Sequence, residues 1–201
     1  MNRFLLKVLG LSGLLLGGCA TVVDAQAPAV PEYVIRPALQ PSHRADLMYQ
    51  VLLAELAGKR DHLDVALTNY RQAATASNDP RIAERAAMLA LIMKDNATAL
   101  DLARRWQALD PGSEQAQQAL ALALLRNGRE DEAMASLDAV RGAARAKDKQ
   151  QGFATVASLL SQMDDKQAAL RVMRRLRDRY PREAYAQYYY AMLAAAADER
   201  E

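Results

Sequence analysis

An all-α fold built as a stack of helical hairpins follows from three features of the sequence. Hydrophobic residues make up 51% of the 201-residue chain but aromatic residues only 5%, with two Phe and one Trp. The apolar content is mostly Ala and Leu, the strongest helix formers, while the aromatic and β-branched residues that fill sandwiches and barrels are scarce. Ala-Leu or Ala-Met pairs recur at Ala66-Leu67, Ala99-Leu100, Ala133-Met134 and Ala169-Leu170, at intervals of 33, 34 and 36 residues. Three prolines keep the same frame: Pro111 and Pro181 each fall twelve residues after their Ala, where a second helix must stop, and Pro80 fourteen after Ala66. A fixed period of this size marks stacked units, because one hairpin cannot bury its own apolar face and needs a neighbour to do so.

Residues 1–18 have the form of a secretory leader. Arg3 and Lys7 make a positive start, Val8 to Leu16 (VLGLSGLLL) is an apolar run, and Gly17 and Gly18 precede Cys19. The run falls well short of the roughly 20 residues that span a bilayer, which fits a signal peptide. Leu16-Gly17-Gly18-Cys19 resembles the lipobox of bacterial lipoproteins, with Gly17 where Ala or Ser is more usual. That resemblance implies lipidation of Cys19, the sole cysteine of the chain, with cleavage just before it. Two or three acyl chains, palmitate among them, give a stable anchor where one does not. Ala20 follows the cysteine where Asp would favour the inner membrane, so the resemblance implies the periplasmic face of the outer membrane.

Residues 19–43 read as a tether. Pro28, Pro31, Pro37 and Pro41 are four of the seven prolines, and no helix runs through such spacing. An extended, polyproline-like stretch is expected, with Tyr33, Val34 and Ile35 as residues that could dock on the first hairpin.

Residues 44–201 carry the repeat, about four hairpins and a terminal helix. In the first unit Leu53, Ala54 and Ala57 precede a turn at Asp61, and Ala66, Tyr70 and Ala73 follow it. In the second, Ala87 and Ala90 precede Ala99, with Trp106 further on. In the third, Leu120, Ala121 and Leu124 lead to Gly128, Ala133 and Leu137. In the fourth, Val156, Ala157 and Leu160 lead to Asp164, Ala169, Met173 and Leu176. A further first helix begins after Pro181 with Tyr185, Tyr188, Tyr189 and Tyr190. Two antiparallel helices cross closely only where small side chains meet, and large apolar neighbours fill the space around the crossing.

These residues resemble the tetratricopeptide family, with Trp106 standing where that pattern usually has a small residue. The resemblance implies a right-handed superhelix whose concave face is lined by the first helix of each hairpin. Carried onto this sequence, that face holds Met48, Val51 and Glu55, then Glu84, Met88, Leu91 and Ile92. Gln118, Leu122, Leu125 and Arg126 follow, then Tyr185, Tyr188 and Met192. Met88, Leu91, Leu122, Leu125, Arg126, Tyr185 and Tyr188 are the expected partner-binding residues, suited to an extended or helical segment of another protein.

No catalytic or metal site is expected. Gly-rich phosphate loops and paired-His motifs are missing, and His43 and His62 have no second ligand at metal spacing. Without Arg3 and Lys7 the chain holds 24 basic and 24 acidic residues, so it lacks the basic footprint of a nucleic-acid binder. Arg171, Arg174, Arg175, Arg177 and Arg179 crowd one stretch, read as a solvated outer face near a helix C-terminus, where cations offset the dipole. Lipobox, tether and repeats together are similar to the front part of proteobacterial outer-membrane tetratricopeptide lipoproteins. Leu52 to Ala73 and Asp79 to Ala86 carry most of that similarity. It implies an adaptor, not an enzyme, that needs no cofactor. Such an adaptor holds a periplasmic carboxyl-terminal processing protease and delivers cell-wall hydrolases to it. The alternative is a scaffold for pilus secretin assembly or outer-membrane protein insertion.

Overall fold

The computed structural model describes residues 43–198, and every regular element among them is an α-helix. Four hairpins follow one another. They are α1 (His43–Gly58) with α2 (Leu63–Ala76), α3 (Pro80–Ile92) with α4 (Asn96–Leu109), α5 (Glu114–Arg126) with α6 (Glu130–Lys147), and α7 (Gln151–Ser161) with α8 (Lys166–Arg179). A ninth helix, α9 (Ala184–Asp198), packs after them. The leader, Cys19 and Tyr33 to Ile35 lie outside the described residues. His43, placed in the tether by the sequence, is already the first residue of α1.

Proline and capping residues set the helix limits. Asp110 and Tyr180, each directly before a proline, leave the helical region (φ −136°, ψ 79° and φ −123°, ψ 60°), so α4 and α8 end there. Pro80 plays a different part from the expected stop. It opens α3 at a position with no donor to lose, behind Asp79, whose carboxylate accepts from the Arg81 N–H at 3.0 Å. No proline follows α6, and it runs to 18 residues where α2, α4 and α8 have 14. The extra turn accounts for the stretched interval between Ala133 and Ala169. Asp95, Ser113 and Asp165 cap α4, α5 and α8 through bonds of 2.9–3.2 Å to the third helical N–H.

The turns within hairpins 1, 2 and 3 share one construction. Asp61, Lys94 and Gly128 have φ of 59°, 58° and 69°, and the next residue's N–H reaches back to Ala57, Ala90 and Leu124 carbonyls at 3.0 Å each. This is the Schellman closure, in which a left-handed residue lets the chain satisfy the last carbonyls of the helix. Only Gly128 adopts it without the cost of a Cβ. Hairpin 4 departs from the pattern. Its turn, Gln162 to Asp165, has no left-handed residue.

One continuous core runs from Ala54 in α1 to Ala186 in α9. Ala54, Ala66, Ala83, Ala87, Ala99 and Ala133 have no accessible surface. They are the small contacts that let the helix axes approach. The large side chains that are fully enclosed, Leu137, Phe153, Val156, Leu160, Val172, Met173 and Leu176, all sit on α6, α7 and α8. Hairpins 1 and 2 combine alanine crossings with Leu67, Leu91, Leu100 and Leu102 and with Tyr70 and Trp106, 7% and 3% exposed.

Candidate partner-binding groove

Successive first helices touch one another from the second hairpin on: α3 meets α5, α5 meets α7, and α7 meets α9. Two cavities open between them. One, of about 180 Å³, is walled by Met88 and Leu91 of α3, by Leu159 with the cap residue Gln162 at the end of α7, and by Gln115, Gln118, Ala119 and Leu122 of α5. The other, of about 400 Å³, lies between hairpin 1 and α3 and includes Glu55, Tyr70, Arg85, Met88 and Ile92. Met88 lines both, so the two cavities adjoin at its side chain. It is 45% exposed, and Ile92 beside it 68%.

Four of the charges at or beside the groove, Glu55, Arg85, Arg126 and Lys94, have internal partners, while Lys59 also lines the larger cavity. Arg85 pairs with Glu55, and the Tyr70 hydroxyl donates to Glu55 at 2.7 Å while accepting from Arg85 at 3.3 Å. Burial pushes the Tyr70 phenol above its ordinary pKa. Arg126 donates to the Leu91 carbonyl at 2.8 Å and to the Gln162 carbonyl at 3.3 Å. Lys94 holds both oxygens of Asp164 at 2.9 and 3.0 Å, and its hydrogen bond keeps that carboxyl below the usual aspartate range. The 180 Å³ cavity itself is lined by no ionisable side chain.

The expected site residues divide. Met88, Leu91 and Leu122 come together at the cavity, with Leu91 and Leu122 forming its floor at 7% and 5% exposure. Leu125 is 3% exposed and packs in the core beside a separate cavity at the turn edge. Arg126 faces backbone carbonyls. Tyr185 is half-buried against the core. Tyr188 is 57% exposed, with its ring 5.0 Å from Tyr189 in an edge-on contact. Neither tyrosine lines the groove. Sequence reasoning missed Gln115, Leu159 and Gln162. Gln162 lies one 36-residue period beyond Arg126, so carrying the frame through the fourth hairpin would have found it.

The arginine run on α8 is an ion ladder. Arg171 pairs with Glu130, Arg175 with Asp131 and Arg179 with Asp138, all acids of α6. Arg177 pairs with Asp178, and Arg174 donates to the Tyr190 hydroxyl at 3.4 Å. The run is a solvated face, as expected, with Arg171, Arg175 and Arg179 45–55% exposed, and its charges also pair across the second helices of hairpins 3 and 4.

No family model matches the chain. Over 134 residues, 63% of its length, it is 35% identical to a TPR repeat-containing protein of Pseudomonas aeruginosa, and it spans 23% of that relative. Among solved structures, a tetratricopeptide repeat protein from Parabacteroides merdae superposes with a TM-score of 0.51 at 17% identity, over 77% of this chain and 60% of that one. MamA from Desulfovibrio magneticus RS-1 gives a TM-score of 0.49 at 18% identity, over 76% and 86%. The helical hairpins and the likeness to the Parabacteroides merdae protein give the chain the tetratricopeptide-repeat fold, as its repeat interval implies.

Proposed function

We propose that this tetratricopeptide-type solenoid is a protein–protein interaction scaffold of the bacterial envelope, anchored to the outer membrane by lipid on Cys19, whose groove holds an extended segment of a partner. The groove across α1, α3, α5 and α7 carries this reading. Its uncharged centre favours an apolar side chain, since a charge buried there would have no counterpart. The amides of Gln115, Gln118 and Gln162 both donate and accept, which suits the unpaired N–H and C=O groups of an extended backbone. Similarity to outer-membrane tetratricopeptide lipoproteins supports a narrower role. In that role the chain is an adaptor whose partners are a periplasmic carboxyl-terminal processing protease and the cell-wall hydrolases it degrades.

Crosslinked recovery of partners from cells tests the groove. Met88→Glu places a charge at the meeting of both cavities, on a side chain exposed enough that the fold should lose no more than about 0.5 kcal/mol. Partner recovery should drop about tenfold, roughly 1.4 kcal/mol of binding. Undiminished recovery from Met88→Glu together with loss in Tyr188→Ala would move the site to the terminal helix. A protease found with murein hydrolases supports the adaptor; secretin or barrel-assembly subunits would replace that role with assembly.

The anchor has its own test. Cys19→Ser removes the only thiol. The precursor should remain uncleaved and take up no labelled palmitate. Equal palmitate incorporation in wild type and variant would refute the lipobox reading.

A further inference from the structure

Arg126, the last residue of α5, binds two carbonyls that belong to different hairpins. Leu91 lies in the last turn of α3 and Gln162 caps α7. Both are helix C-terminal carbonyls, which have no further intrahelical donor and carry the negative end of the dipole. A guanidinium, with donors in a fixed planar fork, can serve both at once. Just outside it, Lys94 in the turn of hairpin 2 holds Asp164 in the turn of hairpin 4, 70 residues away. Among the described residues, the ion pairs between two hairpins otherwise join neighbours, and Arg145 of α6 reaches Glu183 just before α9, whereas this pair passes over hairpin 3 to join two hairpin turns.

The hairpins joined in this way carry the facing walls of the groove. Met88 and Leu91 stand on one side of the 180 Å³ cavity, Leu159 and Gln162 on the other. Leu91 and Gln162 serve twice, giving a carbonyl to Arg126 and lining the cavity. We propose that Arg126, with Lys94 and Asp164, forms a clasp that fixes the separation of hairpins 2 and 4 and so sets the width of the groove. Arg126 is a positioning residue in this arrangement. The Lys94–Asp164 pair is exposed and adds the smaller part, as surface pairs do. Arg126, half-buried and shared between two helix ends, is the pivot. A stacked array flexes through its interfaces, and a link that skips one unit restrains that bending more than contacts between neighbours can.

The inference rests on the groove reading only for its bearing on binding; the clasp is measured without a partner. The full chain carrying Cys19→Ser takes spin labels at Ala97→Cys and Gln167→Cys, two exposed positions just beyond the turns that hold Lys94 and Asp164. Electron–electron double resonance then reads the distance between hairpins 2 and 4. Arg126→Leu should shift the distribution to longer distance and broaden it. Asp164→Lys, which sets two cations against each other, should do the same to a smaller extent. Adding Lys94→Asp to Asp164→Lys should bring the distribution back. Arg104→Gln, which breaks only a pair with Glu132 of the adjoining hairpin, should leave it in place. Unchanged distances in folded Arg126→Leu and in Asp164→Lys would overturn the clasp, as would an equal shift in Arg104→Gln. If Arg126→Leu loses its helical circular dichroism, the charge swap alone decides: no recovery on swapping refutes the proposal. A clasp that passes while Met88→Glu leaves partner recovery intact would locate the failure in the groove reading.

Discussion

Phe153→Ala should destabilise the chain by about 3–5 kcal/mol, read as a lowered midpoint in urea unfolding. Phe153 is 2% exposed, on the first turn of α7. Its ring meets Tyr180 edge-on at 5.9 Å and 74°, and the Arg141 guanidinium lies 5.5 Å from its centroid and 3.8 Å from that of Tyr180. Asp138 closes the group, accepting from the Tyr180 hydroxyl at 2.9 Å and lying 3.5 Å from the Arg141 Nε as an ion pair, with Arg179 also paired to it. The cluster ties α6, α7 and the end of α8 together. Removing the ring leaves a cavity and uncovers a cation held against two aromatic faces, so the transfer loss and the lost cation–π contact add. The site also resists collapse. Gly152 lets α7 approach α6 so closely that a Cβ there would stand 3.0 Å from the Arg145 Cβ and 3.1 Å from the Arg141 carbonyl. The helices are already in contact beside the ring and cannot close over the space it leaves. A cost below about 1 kcal/mol would show that they do.

The parts of this fold that were legible in the sequence are those with local causes. Asp110-Pro111 and Tyr180-Pro181 end helices wherever they occur, and an Ala at a crossing is demanded by the distance between two axes. Those two signals gave the hairpin count; the groove-lining helices were what the tetratricopeptide resemblance implies. The extra turn of α6 left a trace in the 36-residue interval and the missing proline, but a longer helix was not among the expectations drawn from the sequence. The groove chemistry was harder to read. Arg126 stood out as a partner-binding residue because it ends an apolar helix face, but its acceptors are main-chain carbonyls 35 and 36 residues away. Any residue type supplies a carbonyl, so no pattern of side chains marks such a bond. The arginines of α8 hid their role for a related reason. Their acids lie 41 to 44 residues earlier, and only the stacking of hairpin 4 on hairpin 3 brings them together. Leu125 was misplaced because the face a helix turns to the groove differs from the one it turns to its neighbour by a rotation that the repeat frame does not resolve.

Trp106→Ala is the second substitution of large expected effect, again about 3–5 kcal/mol. Trp106 is the only tryptophan of the chain and 3% exposed, in the last turns of α4. It occupies a place where the tetratricopeptide pattern has a small residue, and the surrounding hairpin holds Ala83, Ala86, Ala87, Ala90, Ala99 and Ala103, each without accessible surface, beside the buried Leu91, Leu100 and Leu102. Two outcomes follow from opposite physical premises. If the alanines surround the indole because it needs the room, truncation leaves a void that they are too small to fill, and the full cost appears. If hairpin 2 can relax to the closer approach that small residues allow elsewhere in the stack, the helices move together and little stability is lost. The first is expected. Arg105, the preceding residue, reaches across to the Ser77 carbonyl at 2.8 Å and to Thr75 and Asn78 at 3.4 Å, fixing α4 against the end of hairpin 1. A helix held there cannot slide inward without breaking those bonds. Trp106→Ala and the double variant with Arg105→Ala separate the premises. Removing the anchor should let α4 settle, so the double variant should lose less than the sum of the two single losses. A small loss for Trp106→Ala alone would mean that the anchor yields, and that the tryptophan fills space the fold does not require.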